Sequence, residues 1–267
     1  MADDRKKSNK IDLSIVIVSW NVSSLLQKCL YSIYQNQDDL SLEVFVVDNN
    51  SMDGSAKMIS DSFPEATLIK NKKNLGFAKA NNQAIKKATG EYVLLLNPDT
   101  EILGDGLQKS LKFMKSNSEC GVMGPKMLFE NKTLQPSVRR FPKIWPIFLM
   151  FIKAPKVFES ISAINNYLYI DFDYTKEQEV DQVMGAYMLI PKKVLDKVGN
   201  FDERFFVWFE EVDLCKRIWG GGYKVIYNPN IEIIHHGGKS FSQQKAVSKQ
   251  FRFFMSAFKY FLKNRKV

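Results

Sequence analysis

LSIVIVSW (13–20) is a short β-branched run, too uniformly apolar for a strand with one wet face, and reads as an interior strand. LEVFVVD (42–48), ATLIK (66–70) and YVLLLN (92–97) repeat the pattern, and residues 22–36, 53–62 and 76–89 between them carry helical spacing. Strand, helix, strand at this interval predicts right-handed βαβ units: an α/β chain with a mostly parallel central sheet flanked by helices. Ligands of such sheets bind beyond the carboxyl ends of the strands, which makes Asn21, Asp48 with Asn49, and Asn97 to Asp99 the first candidates.

After Gly104 the pattern loosens. A helix is expected near 105–117, a strand over Gly121–Met127, and another over VMGAYMLI (183–190), followed by a short helix near 191–198. A further helix starts near Glu210, and YKVIYNP (223–229) and IEIIHH (231–236) read as the last strands. With no fixed-period repeat and no low-complexity linker, the second half is expected to complete the sheet of the first.

Composition narrows the classes. A 267-residue chain that is 45% hydrophobic and 25% charged is neither disordered, collagen-like nor a disulfide miniprotein. Cys29, Cys120 and Cys215 are odd in number and far apart, so a reducing cytoplasm is the expected setting. MADDRKKSNK (1–10) has no secretory character, and the longest apolar run, Ile144 to Ile152, falls far short of the ~20 residues of a spanning helix. The net charge is +9, and from Lys239 to Val267 there are eight Lys or Arg and no acid. That end is expected to meet an anionic partner: phospholipid, polyphosphate or nucleic acid.

Three acidic motifs carry the chemistry. Asp48-Asn49-Asn50-Ser51 and Asp53-Gly54-Ser55 sit where a strand hands over to a helix, where turn and cap chemistry alone would account for them. Asp99 in LLLNPDT adds a carboxylate at the ligand edge of an interior strand. Two polar strand ends facing one crevice suggest a nucleotide phosphate held through Mg²⁺ or Mn²⁺. Glu210-Glu211-x-Asp213 opens a helix whose dipole would itself favour acids, yet the preceding FFVWF (205–209) aims at least one of them into the cleft.

The blocks SIVIVSWN, VVDNNSMDGS, NKKNLGFAKANNQAI, LLLNPDT, GAYMLIPKKVLDKVGNFDERFFVWFEEVDLCKR and IIHHGGKS occur in the order seen in family 2 glycosyltransferases. The chain resembles their rhamnosyltransferase-type branch over roughly residues 12–242. The resemblance implies a GT-A fold, a nucleotide-sugar donor, a divalent cation and inversion at the anomeric carbon. It places Ser19, Trp20 and Asn21 in the nucleoside pocket and Asp48 and Asn49 at the base and ribose. Asn49 stands where the family more often has a second carboxylate. Asn74, Gly76, Phe77 and Asn81 border the donor. Asn97 and Asp99 stand at the family's Asp-x-Asp, with Asp99 the acidic metal ligand and His235, rather than His236, a further one. Glu211 is the implied base, with Glu210 in reserve, and Gly185, Ala186, Arg139, Arg140 and Trp208 face the acceptor.

These readings divide the chain into a polar tail (1–11), a catalytic domain (12–242, with donor half 12–104 and acceptor half 105–242) and a basic amphipathic helix (243–267). The expected reaction is inverting transfer of a sugar, L-rhamnose from dTDP-L-rhamnose, to a saccharide or lipid-linked acceptor in cell-surface polysaccharide synthesis. UDP- or GDP-linked donors are the alternative. A nucleotidyltransferase would need a Gly-rich, Arg-containing loop where this chain has SWNVSS, and a non-catalytic anionic-surface binder leaves the carboxylates at strand and helix ends unexplained; nucleic acid is not an expected partner. Within Arg139 to Lys156, a stretch equally readable as a surface loop, Arg139, Arg140 and Lys143 would meet a lipid diphosphate and Trp145, Phe148 and Phe151 the acyl boundary. In the last helix Val247, Phe251, Phe254, Phe258 and Phe261 form an apolar stripe opposite Lys245, Lys249, Arg252, Lys259 and Lys263. Either the phenylalanines pack inward over solvated lysines, or the basic stripe lies on anionic lipid at the cytoplasmic face of the membrane.

Overall fold

The computed structural model describes residues 10–152, 161–237 and 246–265. Strand β1 (Leu13–Ser19) is buried throughout and sits between β2 (Leu42–Asp48) and β4 (Tyr92–Leu96), both parallel to it, with β3 (Thr67–Lys70) parallel to β2 at the edge. Side chains alternate across a strand, and β1 uses both faces. Leu13, Ile15 and Ile17 pack with Leu26, Leu30 and Ile33 of α1 (Ser23–Gln35) and with Leu107, Leu111 and Met114 of α4 (Gly106–Ser116). Val16 and Val18 pack with Ala78, Ala80 and Ala84 of α3 (Phe77–Ile85), and with α7 (Lys192–Val198) and α8 (Glu210–Gly220) through Val194 and Ile218. Helices therefore cover both faces, with α2 (Ser55–Ser62) beside β3.

The second half does complete the sheet. Beyond β4 the order runs β11 (Tyr187–Pro191), β6 (Cys120–Leu128), β12 (Lys224–His235) and β5 (Thr100–Ile102). β11 is antiparallel to β4 and β6, β12 is parallel to β6, and β5 is antiparallel to β12. β7 (Leu134–Gln135) and β9 (Gln178–Glu179) pair with β6 and β12, while β8 (Val138–Arg139) and β10 (Gln182–Val183) form a small separate sheet.

Four expectations are corrected. Residues 183–190 are two strands rather than one, because Val183 pairs with Val138 and the chain opens at Met184–Ala186 before β11. The two expected runs form one strand, β12 (Lys224–His235), whose register against β6 shifts between Asn228 and Glu232. The basic stretch after Arg140 is no loop, since Ile144–Phe151 form helix α5, followed by α6 (Ser162–Leu168). Finally, the last helix, α9 (Ala246–Lys263), takes neither expected orientation. It buries Ser256, Ala257 and Tyr260, turns Lys259 and Lys263 toward the body, and leaves Phe251, Phe254 and Phe258 exposed. Lys156, Lys245, residues 238–240 and the tail to residue 9 lie outside the described residues, as does the Val247 side chain.

Among the described residues no helix is long and apolar enough to cross a membrane. All three cysteines are free and buried.

Candidate functional site

The carboxyl ends of β1 and β2 meet in register, Ser19 opposite Asp48, and the polar residues after them form one network. Asn21, in the left-handed region at φ 53°, accepts the Met52 N–H through Oδ1 (2.7 Å), and its own N–H donates to Ser51 Oγ. Asp48, buried, accepts the Ser51 N–H, while Trp20 is half-buried and the Ser19 hydroxyl is buried without a hydrogen-bond partner. Asn49 organises rather than reaches out: its Oδ1 accepts from Leu75 N and Asn71 Nδ2, and its Nδ2 donates to Asn74 Oδ1 and Gly76 O. An amide can donate and accept in this way, which a carboxylate at the same position could not.

Gly76 ties this network to the other half of the molecule. Its φ of +85° and ψ of 173° belong to a region open essentially to glycine, and a Cβ there would overlap the Phe206 carbonyl and lie 2.8 Å from Phe206 Cδ2. The next residue, Phe77, donates its N–H to that same carbonyl at 2.7 Å. Phe77 packs 5.9 Å from the Phe201 ring and lines the cleft. Asn81 donates to Phe77 O within its own helix.

The second wall comes from the Asn97-Pro98-Asp99 turn and the end of β12. Asn97 donates its N–H to Ala186 O, and the Asp99 carbonyl accepts the His236 N–H. Antiparallel pairing sets His235 opposite Thr100, so the two adjacent histidines point apart. His235 Nε2 lies 3.4 Å from Asp99 Oδ1, whereas His236 turns to Glu101 Oε1 (2.6 Å) and Glu130. His235 Nδ1 contacts Gln135 Oε1 at 2.9 Å, and an amide oxygen only accepts, so Nδ1 carries the proton. In the neutral ring the Nε2 lone pair then points into a buried space beside a carboxylate oxygen, with no hydrogen-bond partner.

Among the described residues no three His, Cys, Asp or Glu side chains converge as a metal cluster. The Asp99–His235 pair nonetheless fits a divalent cation. Two donors on one ion at ligand distances of about 2.1 Å lie roughly 3 Å apart, and a ligating His commonly gives its other N–H to an oxygen acceptor. One imidazole with one carboxylate suits Mn²⁺ better than Mg²⁺, which prefers oxygen donors.

A cleft of about 870 Å³ including its mouth is lined by Phe77, Asn97, Arg139, Gly185, Ala186, Trp208, Glu210, Glu211 and His235 among others, whereas Ser19, Trp20, Asn21, Asp48, Asn49 and Asp99 are not among its lining residues. The two glutamates reach it from a strained start of α8: Trp208 and Phe209 both have positive φ (66° and 70°), rare for aromatic residues. Packing holds that strain in place, since Trp208 and Phe209 lie against Phe253 and Phe209 also against Tyr260. The three acids of the motif separate. Asp213 is bound to Arg217 (2.8 Å) and Lys263 (2.6 Å) and is structural. Glu210 is buried with Oε2 unpartnered; burial, and then the Glu211 charge, push its carboxyl well up from its ordinary range. Glu211 is half-buried, its carboxyl raised by burial and drawn back by backbone N–H groups and the Arg139 charge. Gly185 borders it: a Cβ there would lie 3.5 Å from Glu211 Cβ, an ordinary van der Waals contact.

Of the other residues expected at the acceptor, Arg139 is exposed on the cleft wall, 6.0 Å from the Tyr167 ring. Arg140 is absent from that wall, its guanidinium stacked over Tyr169 at 4.2 Å and its carbonyl accepting from Gln182. Sequence reasoning missed Gln135, which orients His235, and Tyr167 beside Arg139. Gln135 comes from a two-residue strand in a segment without periodicity, which leaves no local signal.

The family described as Glycosyl transferase family 2 matches residues 14–199. The chain is 24% identical over 245 residues, 88% of its length and 79% of the relative's, to N-acetylglucosaminyl-diphospho-decaprenol L-rhamnosyltransferase of Mycobacterium tuberculosis. It is 29% identical to rhamnosyltransferase WbbL of Escherichia coli, across 94% of this chain and 93% of the other. Among solved structures, GalNAc-T7 with UDP, GalNAc and Mn²⁺ superposes with a TM-score of 0.65 at 16% identity over 85% of this chain, which spans only 44% of that longer one. The fold is that expected of a GT-A enzyme, and the family match spans most of the sheet and the cleft wall as far as Gly199: the chain belongs to glycosyltransferase family 2.

Proposed function

We propose that the protein transfers L-rhamnose from dTDP-L-rhamnose, with inversion, to a hydroxyl of a lipid-linked saccharide in cell-surface polysaccharide synthesis. The observation that carries the reading is the meeting, in one cleft, of His235, which pairs with Asp99 at 3.4 Å, and a half-buried carboxylate, Glu211, on a different element. The names of the two relatives, both rhamnosyltransferases and one acting on a diphospho-decaprenol saccharide, support the donor sugar and the acceptor class.

The donor half, residues 12–104, would seat the nucleotide against Trp20, Asn21 and Asp48, with Asn49 holding the 71–76 loop at the sugar. Asp99 and His235 would hold the divalent cation, which when bound neutralises charge on the diphosphate. Arg139, on the opposite wall, offers a fixed positive charge to the leaving group or to an acceptor phosphate. From the acceptor half, residues 105–242, Glu211 takes the proton of the acceptor hydroxyl as that oxygen attacks C1. The C1–O bond to the β-phosphate breaks, and the nucleoside diphosphate leaves with the electron pair. One displacement with one base inverts C1 and needs no covalent sugar intermediate. Glu210, buried and held toward its protonated form, keeps a second negative charge away from the cleft.

A donor panel of dTDP-L-rhamnose with UDP- and GDP-linked sugars, read by nucleoside-diphosphate release with Mn²⁺, Mg²⁺ or EDTA, tests this. Turnover of the dTDP donor that EDTA removes is the expected result. Preferential turnover of a UDP or GDP donor would overturn the sugar assignment, and full activity in EDTA the cation assignment.

A further inference from the structure

Helices α5 and α9 lie side by side and form an apolar surface with no covering element among the described residues. Ile144 and Trp145 on α5 are 64% and 60% exposed, and Phe251 on α9 is 64% exposed. Phe148, Phe254 and Phe258 continue the patch across the seam, where Phe151 meets Phe254 at a 5.0 Å ring separation. Scattered exposed apolar residues need no explanation, whereas a contiguous aromatic face across two helices does.

The setting of α9 makes the face more telling. Lys259 donates to the Arg204 carbonyl, Lys263 bridges Asp202 and Asp213, and the Arg252 guanidinium lies 4.3 Å from the Phe206 ring. A solvent-exposed helix would normally turn such cations to water and its phenylalanines to the core. Here the cations fix the helix to the body and the phenylalanines are presented outward.

We propose that this α5–α9 face docks on an anionic bilayer, its aromatic side chains entering the headgroup–acyl boundary. Charge complementarity selects that occupant. Lys143 and Arg265, both exposed, stand at the margins of the face, and no Asp or Glu occurs in residues 131–158 or 239–267. A second copy applied to the same face would set cation against cation, while anionic headgroups at the rim complement both. Trp and Phe flanked by basic residues are the composition of a helix lying in the interface plane. The face also connects to the cleft: Ile147 of α5 and Ala257 and Tyr260 of α9 share one cluster with Phe209 and Val212, on either side of the glutamates. Docking would therefore hold the mouth of the acceptor half near the bilayer. That last consequence rests on the lipid-linked acceptor proposed above, but the docking itself does not.

The test is co-sedimentation of the full chain with phosphatidylcholine vesicles containing roughly one third phosphatidylglycerol, an amount that gives the surface a strong negative potential. The wild type is expected to bind. Phe251→Ser/Phe254→Ser/Phe258→Ser is expected to weaken binding on the order of tenfold or more, with melting temperature and donor hydrolysis unchanged. Ile144→Gln/Trp145→Gln on the other helix provides a second variant should the first fail to fold. High salt should reduce binding without abolishing it, because the apolar part is not screened. Absence of wild-type binding, or equal binding by both variants, would overturn the proposal. So would a wild-type dimer in light scattering that the triple variant converts to monomer, since the face would then join two copies.

Discussion

Gly76→Ala isolates the link between the two halves of the site. The residue holds φ +85° and ψ 173°, where a side chain costs about 1–3 kcal/mol. The added methyl also overlaps the Phe206 carbonyl and comes within 2.8 Å of Phe206 Cδ2. Backbone cannot yield as a flexible side chain does, so overpacking adds about 1–3 kcal/mol. A total of about 2–6 kcal/mol corresponds, for a chain of this size, to a melting temperature lower by roughly 5–20 °C. Gly54→Ala is the control, since it too has φ +85° but nothing within 4 Å of its Cβ position, leaving only a left-handed backbone cost of about 1–2 kcal/mol. Thermal unfolding of the two variants side by side gives the Phe206 contact together with the difference in backbone cost between Gly76 (ψ 173°) and Gly54 (ψ 2°). Calorimetric titration of nucleoside diphosphate should also weaken for Gly76→Ala alone, because the 71–76 loop loses its anchor. If Gly76→Ala melts no lower than Gly54→Ala and binds nucleotide normally, the loop is not held by this contact and the reasoning fails.

The other expectations concern the charges. Glu211→Gln should lower transfer by on the order of 10²–10⁴ while nucleotide binding persists, and a larger loss in Glu210→Gln would reverse the roles assigned to the pair. Burial raises the Glu211 carboxyl and only the ionised form accepts a proton, so the acid limb of kcat/KM should lie above the ordinary carboxylate range. Arg139→Gln removes a charge that favours the ionised form and should move that limb to higher pH; no movement would separate Arg139 from Glu211. Asp99→Ala should abolish Mn²⁺-dependent donor turnover while changing the melting curve little, and near wild-type turnover would reject the cation pair. Lys263→Gln removes a partner of Asp213, which is 2% exposed and keeps Arg217, at a cost of about 1–3 kcal/mol; an unchanged melting temperature would show that α9 is held by its apolar contacts alone.

The parallel half of the fold was readable because its strands are interior: β1 and β4 are buried at every position, so their apolar runs could mean little else. For the same reason Asp48 and Asp99 stood out as acids at strand ends. Pairing between distant segments was not readable. Nothing in residues 131–140 announces that Gln135 will meet His235, and β5, three residues long, finds its place through β12 and α1, where the Ile102 N–H donates to Ser32 Oγ. The break at Met184–Ala186 was hidden because VMGAYMLI is apolar on both sides of its glycine, and the pairing of Val183 with the distant Val138 exists only in three dimensions. The orientation of α9 escaped for a different reason. Helical periodicity identifies two stripes but not which one faces the body, and here Asp202, Asp213 and the Arg204 carbonyl decided for the cations.

Product stereochemistry tests the central claim most directly. The wild-type protein, dTDP-L-rhamnose, Mn²⁺ and a synthetic lipid-linked saccharide of the proposed acceptor class would be incubated and the new glycosidic linkage read by proton NMR. The account predicts a linkage with the anomeric configuration opposite to that of the donor, formed by the wild type and not by Glu211→Gln. A product that retains the donor configuration, or one formed equally well by Glu211→Gln, would contradict a single displacement driven by that carboxylate.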